Sequence, residues 1–246
     1  MITNTMSKKI YFTLITIAFL VCSCTNDTVI DKVKNRSGFI SPVIDESRLV
    51  CVELYNNIRM YTFDIYEDSV KNIFNELKQN NFKLYNIGCY NPRNIRNGKT
   101  KSLHAYASAI DINTKQNPYI DVYRNTIIPP PDKKEQSINK DGYLNRSKIR
   151  PGMITEKEAQ IFYKNGFTQW GGSAVWRGCP DYMHFQVSLA IAKIVTKLPK
   201  EEAKIFWDKY LQNPQKIILD PFFNQDINEK DIKLDSLLKR IDKIIN

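Results

Sequence analysis

The feature that most constrains this chain is the placement of its histidines, of which there are only two among 246 residues. The stretch "SLHAYASAIDIN" contains His104 and, seven positions later, Asp111. The stretch "CPDYMHFQ" contains Asp181 and, three positions later, His184. Either histidine alone would be interpreted as a structural residue that bonds to the backbone. Because both occur with aspartates beside strand-like runs, they indicate a shared site.

Side chains alternate between the two faces of a β-strand. In an extended "ASAIDI", Asp111 shares its face with two alanines, whose small side chains leave room beside the carboxylate. In "YMHFQ", His184 shares its face with Tyr182 and Gln186, while Met183 and Phe185 take the other face. The pattern therefore predicts two strands that present Asp111 and His184 on defined faces.

Two imidazoles and one carboxylate form a mixed nitrogen and oxygen set that suits Zn²⁺, and three protein ligands leave the fourth tetrahedral position for water. The spacing thus predicts a zinc site made of His104, Asp111 and His184, with a purely structural role as the alternative. Asp181 is not needed as a ligand. It is placed to take a proton from the water instead.

Hydrophobic periodicity predicts helices around these strands. "DSVKNIFNELKQNNF" has an apolar stripe at helical spacing and ends at Asn80 and Asn81. Thr155 to Glu158 spells T-E-K-E, a capping box that opens a second helix. "FKLYNIGCY" is typical of a strand, and "ASAIDIN" and "YMHFQV" are the other two strands. An α+β fold follows from this mixture.

Two longer segments have other patterns. Residues 114–154 are polar and proline-rich, which predicts a long loop that serves as a binding surface. Residues 187–246 predict helices with breaks at Pro199 and near 213–225. The apolar stripe of the last helix, which includes Leu237 and Ile241, is interpreted as core packing.

The N-terminus predicts export. Two lysines precede an apolar run from Ile10 to Val21, which is too short for a comfortable membrane span and is typical of a signal peptide. The run ends in "LVCSC", a lipobox pattern in which cleavage before Cys24 would leave a lipidated N-terminal cysteine. A plain secreted protein or a short anchor is the alternative. The prediction is a lipoprotein of the bacterial cell envelope, anchored to a membrane by its lipid and facing the wall or periplasm.

The formal net charge of +10 favours anionic surroundings such as nucleic acid, acidic lipid or the polymers of a bacterial wall. However, no Lys/Arg run dominates the sequence, and aromatic residues are not interleaved with a basic stripe. A dominant basic run and an interleaved aromatic stripe are the features of a nucleic-acid interface. Because this sequence has neither, nucleic acid is not an expected partner. The sequence does not define an oligomeric state.

Three blocks of the sequence resemble a known enzyme family. "SLHAYASAIDIN" resembles the S-x-H-x-x-G-x-A-x-D signature of the zinc-dependent D-alanyl-D-alanine carboxypeptidases and L-alanyl-D-glutamate endopeptidases, which include VanY-type enzymes and phage endolysins. "GFTQWGGSAVWRGCPDYMHFQ" is similar to a second block of that family, and "IGCYNPRNIR" to a preceding one. Ala107 stands where the signature usually has glycine. The resemblance implies a small antiparallel sheet flanked by helices, with the zinc site on the sheet.

The resemblance also implies roles for individual residues. His104, Asp111 and His184 match the zinc ligands, and Asp181 matches the catalytic acid and base. Arg93 matches the arginine that would hold a substrate carboxylate or carbonyl oxygen and so act in both binding and catalysis, with Arg96 as its alternative. Apart from the resemblance, Trp170, Trp176 and Tyr106 are candidates to line the cleft, with core packing as the alternative for each of them. The implied function is hydrolysis of peptide bonds in peptidoglycan stem peptides, either as a carboxypeptidase or as an endopeptidase.

The predicted organisation has four segments: a lipoprotein signal peptide (1–23), a tether (24–48), the zinc peptidase domain (49–190) and a helical C-terminal extension (191–246). Two other functions compete with the zinc peptidase. One is a lipoprotein that binds peptidoglycan without cutting it, and the other is a cysteine peptidase that uses Cys179 or Cys89 with a histidine. Export permits a disulfide, but the sequence does not identify a pair.

Overall fold

The computed structural model of the protein describes residues 44–95, 98–130, 146 and 149–246. The predicted signal peptide, Cys24 and most of the predicted tether lie outside these residues. The described part has the predicted α+β architecture, with antiparallel sheets, helices around them and a helical C-terminal part. No helix within these ranges is long and apolar enough to cross a membrane.

The strands form two antiparallel sheets. β1 (Leu49–Glu53) and β2 (Arg59–Phe63) make a hairpin. The larger sheet contains β3 (Ile87–Gly88), β4 (Ala109–Ile112), β5 (Tyr119–Asp121), β6 (Thr126–Ile128), β7 (Gln169–Gly171) and β8 (Asp181–Gln186). Its order is β3-β4-β8-β5-β6, and β7 also pairs with β8. β8 therefore contacts three other strands and lies at the centre of the sheet.

The register of β4 and β8 separates a polar face from an apolar one. Asp111 lies opposite His184, whereas Ile110 lies opposite Phe185. Ile110 and Phe185 are fully buried, and the Phe185 ring stacks on Phe162 at 3.8 Å between centroids. Because side chains alternate along a strand, burying this apolar pair directs Asp111 and His184 to the opposite face.

The described helices are α1 (Glu67–Gln79), α2 (Glu156–Lys164), α3 (Leu189–Lys197), α4 (Lys200–Tyr210), α5 (Pro214–Ile217), α6 (Pro221–Asn224) and α7 (Leu234–Ile245). α1 buries the predicted apolar stripe and ends at Asn80, its C-terminal cap. The capping box predicted for α2 is present: Glu158 accepts a hydrogen bond from the Thr155 backbone N–H at 2.9 Å. In α7, Leu237 and Ile241 are buried in the core as predicted.

The C-terminal helices share the core of the sheet domain. The Trp207 ring of α4 packs edge-on against Tyr66 at 4.9 Å between centroids, and its indole N–H donates to the Ser69 hydroxyl. Trp207 also lies against Gly166, where the backbone is left-handed (φ 94°) and an added Cβ would collide with the indole. Residues beyond β8 thus complete the hydrophobic core.

Two segments differ from the sequence prediction. The predicted strand "FKLYNIGCY" narrows to two residues, because the side chain of Asn113 accepts the backbone N–H groups of Tyr85 and Asn86, at 2.7 and 3.2 Å. Conversely, the predicted loop 114–154 contains β5 and β6. β5 pairs with the first residue of β8, so its formation depends on a partner about sixty positions away in the sequence.

Candidate metal centre

His104 is positioned by a short capped turn. It lies in the 3-10 helix Leu103–Tyr106, where the Ser102 side chain accepts the His104 backbone N–H. Nδ1 of the buried ring is 2.7 Å from the carbonyl oxygen of Cys89. Since a carbonyl oxygen only accepts, Nδ1 carries the proton and Nε2 presents its lone pair on the other side of the ring.

Ala107 ends this turn in the left-handed conformation, with φ 49° and ψ 31°. Glycine adopts this conformation freely, whereas an L-residue with a Cβ is strained there by roughly 1–2 kcal/mol. At the position where the family signature has glycine, this turn therefore contains a strained but fully buried alanine. Its N–H donates to the carbonyl oxygens of His104 and Leu103, which closes the turn.

Asp111 lies between the two histidines. Its Oδ1 is 2.8 Å from His184 Nδ1, and its Oδ2 is 3.2 Å from His104 Nε2. Burial alone would raise the pKa of the Asp111 carboxyl, but the two imidazoles outweigh it and hold that pKa well below its usual range. Asp111 is therefore an anion throughout the physiological pH range.

The two imidazole rings lie near each other, 5.1 Å apart between centroids and inclined by 64°. Burial lowers the pKa of His184, but the neighbouring Asp111 carboxylate has the larger combined effect and raises it above the ordinary value. Its Nε2 is 2.7 Å from the side-chain oxygen of Gln186. An amide oxygen accepts, so Nε2 carries a proton, as is common for the outer nitrogen of a metal-binding histidine.

The arrangement fits a metal ion. One ligand atom from each of His104, Asp111 and His184 lies within 4.8 Å of the others. His104 Nε2 is buried and has no hydrogen-bond partner, although it faces an oxygen of Asp111. A buried polar atom is costly when it is left unsatisfied, and a cation coordinated by this nitrogen and the carboxylate would satisfy both. Nitrogen and oxygen ligands in this number suit Zn²⁺.

Asp181 begins β8 and lies three residues before His184. Its Oδ1 is buried without a hydrogen-bond partner, and burial raises the pKa of the carboxyl to about 6. The nearby Asp111 raises that pKa further, whereas His184, His104 and Arg93 lower it. A carboxyl group with a pKa near neutrality can both accept and return a proton, which is the requirement for a general acid and base.

The W-G-G segment allows close packing at Asp181. Gly171 on β7 is paired with Asp181, and an added Cβ would collide with the Asp181 backbone. An added Cβ on Gly172 would lie 2.6 Å from the Tyr182 ring. The two glycines therefore let β7 approach the end of β8 that carries Asp181.

Arg93 lies in the loop before His104. Its carbonyl oxygen accepts the N–H of Ser102, the residue that caps the His104 turn, at 3.0 Å. The half-buried side chain is close enough to Asp181 to lower the pKa of its carboxyl. The structure therefore brings Arg93 to the cluster. The alternative, Arg96, lies outside the described residues.

Trp170 is placed elsewhere. Its indole is 6% exposed and stacks on Phe185, with 5.9 Å between ring centroids, and its indole N–H donates to the Tyr182 carbonyl. It therefore packs with the apolar face of the sheet, and its predicted contact with substrate remains a prediction. The half-buried Trp176 is closer to the cluster, with its ring centroid 5.8 Å from that of His184.

Sequence reasoning missed the groups that orient the two histidines. A carbonyl such as that of Cys89 has no sequence signal. Gln186 could have been found from the sequence, because strand alternation places it on the same face as His184. Its amide also contacts Gln169, at 2.7 Å.

No disulfide joins Cys51, Cys89 and Cys179. Burial raises the pKa of the Cys89 thiol to about 12, so at neutral pH it carries no thiolate. A thiolate is the nucleophile of a cysteine peptidase. Cys89 therefore lacks the property that the cysteine peptidase alternative requires of it.

The fold and the site together define an α+β protein with a His–Asp–His metal-type cluster on its sheet and a carboxyl acid–base group beside it. Residues 96–187 match the family of D-alanyl-D-alanine carboxypeptidases. The resemblance seen in the sequence motifs is thereby confirmed, and the matched range includes His104, Asp111, Asp181 and His184. For the matched part of the chain, this supports a peptidase of a class that acts on peptidoglycan. No curated protein and no solved structure matches the chain significantly.

Proposed function

We propose that the protein is a zinc peptidase that hydrolyses a peptide bond in peptidoglycan stem peptides, as a D-Ala-D-Ala carboxypeptidase or an L-Ala-D-Glu endopeptidase. The observation that carries the proposal is the convergence of the buried His104 Nε2, which makes no hydrogen bond of normal geometry, with the two oxygens of Asp111 and with His184. The peptidase family match over the same residues supports it.

Zinc in this site would polarise the scissile carbonyl and make water more acidic. Asp181 accepts the proton of the attacking water and returns it to the leaving amine, so its carboxylate is regenerated in each cycle. In the metal-free protein burial raises the pKa of the Asp181 carboxyl to about 6, so this carboxylate is a stronger base than an exposed aspartate.

Arg93 has the role of binding the substrate, whereas Asp181 transfers the proton. A guanidinium donates two parallel hydrogen bonds to a carboxylate, a geometry that lysine does not reproduce. Stem peptides carry carboxylates, and the net charge of +10 favours the anionic wall. We further propose that a lipid on Cys24 keeps the domain at a membrane of the cell envelope, where these substrates are found.

The deciding experiment uses purified stem peptides that end in D-Ala-D-Ala or contain L-Ala-D-Glu. We expect cleavage of one of them, loss of cleavage in a chelator, and recovery on addition of Zn²⁺. Mass spectrometry of the products identifies the bond. If the peptides bind with no cleavage under any metal condition, the protein is instead a binding lipoprotein. Cleavage that persists in chelator and is blocked by a thiol reagent would indicate a cysteine peptidase.

A further inference from the structure

A chain of three side-chain amides leads away from His184. The Gln186 oxygen accepts the His184 Nε2–H at 2.7 Å, and the Gln186 amide nitrogen donates to the Gln169 oxygen at 2.7 Å. The Gln169 amide nitrogen then donates to the Asn224 oxygen at 3.3 Å. The chain thus runs from β8 through β7 to α6, in the C-terminal helical part.

Every bond in this chain has the same direction, with the nitrogen of one group donating to the oxygen of the next. An amide group offers an acceptor at one end and donors at the other. With Gln186 directing its oxygen at the ring, His184 holds a proton on Nε2, so Nδ1 is the nitrogen left for a metal once it gives up the proton that it shares with Asp111. Nδ1 is the atom that lies 2.8 Å from Asp111, on the side of the cluster.

The far end of the chain is attached to the core. Phe223, which precedes Asn224, is fully buried, and its carbonyl oxygen accepts the Ser188 hydroxyl just beyond β8. Asp220 is the N-terminal cap of α6, and its Oδ1 is 2.7 Å from the guanidinium of Arg240, a residue of α7. α6 is therefore held both by the sheet domain and by the last helix, and its exposed last residue, Asn224, ends the chain of amides.

We propose that Gln186 and Gln169 are positioning residues that hold His184 in the Nε2–H tautomer with Nδ1 directed at the metal, and that α6 supports them through Asn224. This inference rests on the proposed zinc site. Outer groups of this kind fix the orientation and basicity of a ligand, and their loss usually weakens metal binding by about 10–100-fold. The C-terminal helices would thereby contribute to the site without touching it.

The test is zinc affinity, measured by competition with a chromophoric chelator. Gln186→Met keeps the size of the side chain but removes the acceptor, so we expect affinity to fall by about 10–100-fold. Gln186→Glu retains an acceptor oxygen for the Nε2–H and should lose much less affinity than Gln186→Met. Gln169→Met should lower affinity by a smaller factor than Gln186→Met. Gln160→Met, on the exposed surface of α2, is the matched control and should change nothing.

The protonated nitrogen of His184 can be measured directly, and a merely structural role of Gln186 would not change it. Nitrogen NMR of the zinc-loaded wild type should show His184 protonated at Nε2 and coordinated through Nδ1. A proton on Nδ1, an unchanged affinity in Gln186→Met, or an equal loss in Gln186→Glu overturns the inference. If the wild type binds zinc but the variants and the NMR do not give the expected results, only this inference is overturned and the proposed function still stands. A wild type that binds no zinc overturns both.

Discussion

Asp111 and His184 face each other across neighbouring strands of the sheet, with Oδ1 of the carboxylate 2.8 Å from Nδ1 of the imidazole. Their contact depends on the strand register, because a slip of one residue would turn one of them to the opposite face. The neighbouring pair of Ile110 and Phe185 is fully buried, so such a slip would also expose core side chains. Core packing and site geometry therefore select the same register.

We expect one Zn²⁺ per chain, held by His104, Asp111 and His184. Asp111→Asn removes the anion between the two imidazoles and should reduce the bound zinc to well below one equivalent, measured by elemental analysis after reconstitution. The control is Asp226→Asn, which changes an exposed carboxylate that pairs with Lys193. Full zinc occupancy in Asp111→Asn would show that the carboxylate is not a ligand.

Asp181→Ala should separate chemistry from metal binding. The three ligands are untouched, so zinc content should equal that of the wild type, whereas turnover should fall by about 10²–10⁴-fold, the usual contribution of a general base. Steady-state peptide hydrolysis and elemental analysis on the same preparation measure both quantities. A folded, zinc-loaded and fully active variant would remove Asp181 from the mechanism.

The metal-free protein should become more stable at neutral pH when Asp181 is replaced by asparagine. The pKa of about 6 in the folded protein lies above the ordinary aspartate value of 3.8, so folding favours the protonated carboxyl. That contribution is fully present below about pH 4 and is lost as pH rises through 6. The free energy of unfolding of Asp181→Asn should therefore be about 1–3 kcal/mol higher than that of the wild type at pH 7.5, and the two should be equal at pH 3.5. Urea unfolding at the two pH values measures the gap, and an equal gap at both would contradict the pKa.

Arg93→Ala should mainly weaken substrate capture. We expect a higher KM, and a lower kcat as well if the guanidinium also stabilises the oxyanion. Arg93→Lys keeps the charge but loses the paired hydrogen bonds, so it should recover only part of the loss. Kinetics on peptides with a free and an amidated C-terminus tests the contact, because amidation should remove the difference between the wild type and Arg93→Ala. A difference that survives amidation would place the role of Arg93 elsewhere.

Cys24→Ser tests the proposed anchor. Without the thiol no lipid can be attached, so the protein should leave the membrane fraction or remain unprocessed. Fractionation with immunoblotting, and the mobility shift on processing, give the result. The matched control is Cys22→Ser, which changes the neighbouring cysteine of the same lipobox and should leave anchoring intact. Normal cleavage and membrane association in Cys24→Ser would rule out lipidation at this residue.

Local sequence patterns were enough to predict the main helices, the strands around the site and the residues that meet there. The apolar stripe of α1, the capping box of α2 and the alternation around Asp111 and His184 act over a few residues, so their outcome can be predicted from neighbours in the chain. The motif blocks also predicted which residues form the cluster. His104, Asp111 and His184 meet as that prediction required.

The groups that orient and support that cluster could not be predicted from local patterns. The Cys89 carbonyl, the amide chain through Gln169 to Asn224, and the burial of Trp170 all depend on contacts between segments far apart in the chain. Likewise, β5 forms within a polar, proline-rich segment because β8 offers it a partner. Hydrogen bonds and ring contacts of this kind depend on distances set by packing the whole core, and local sequence patterns contain no record of those distances.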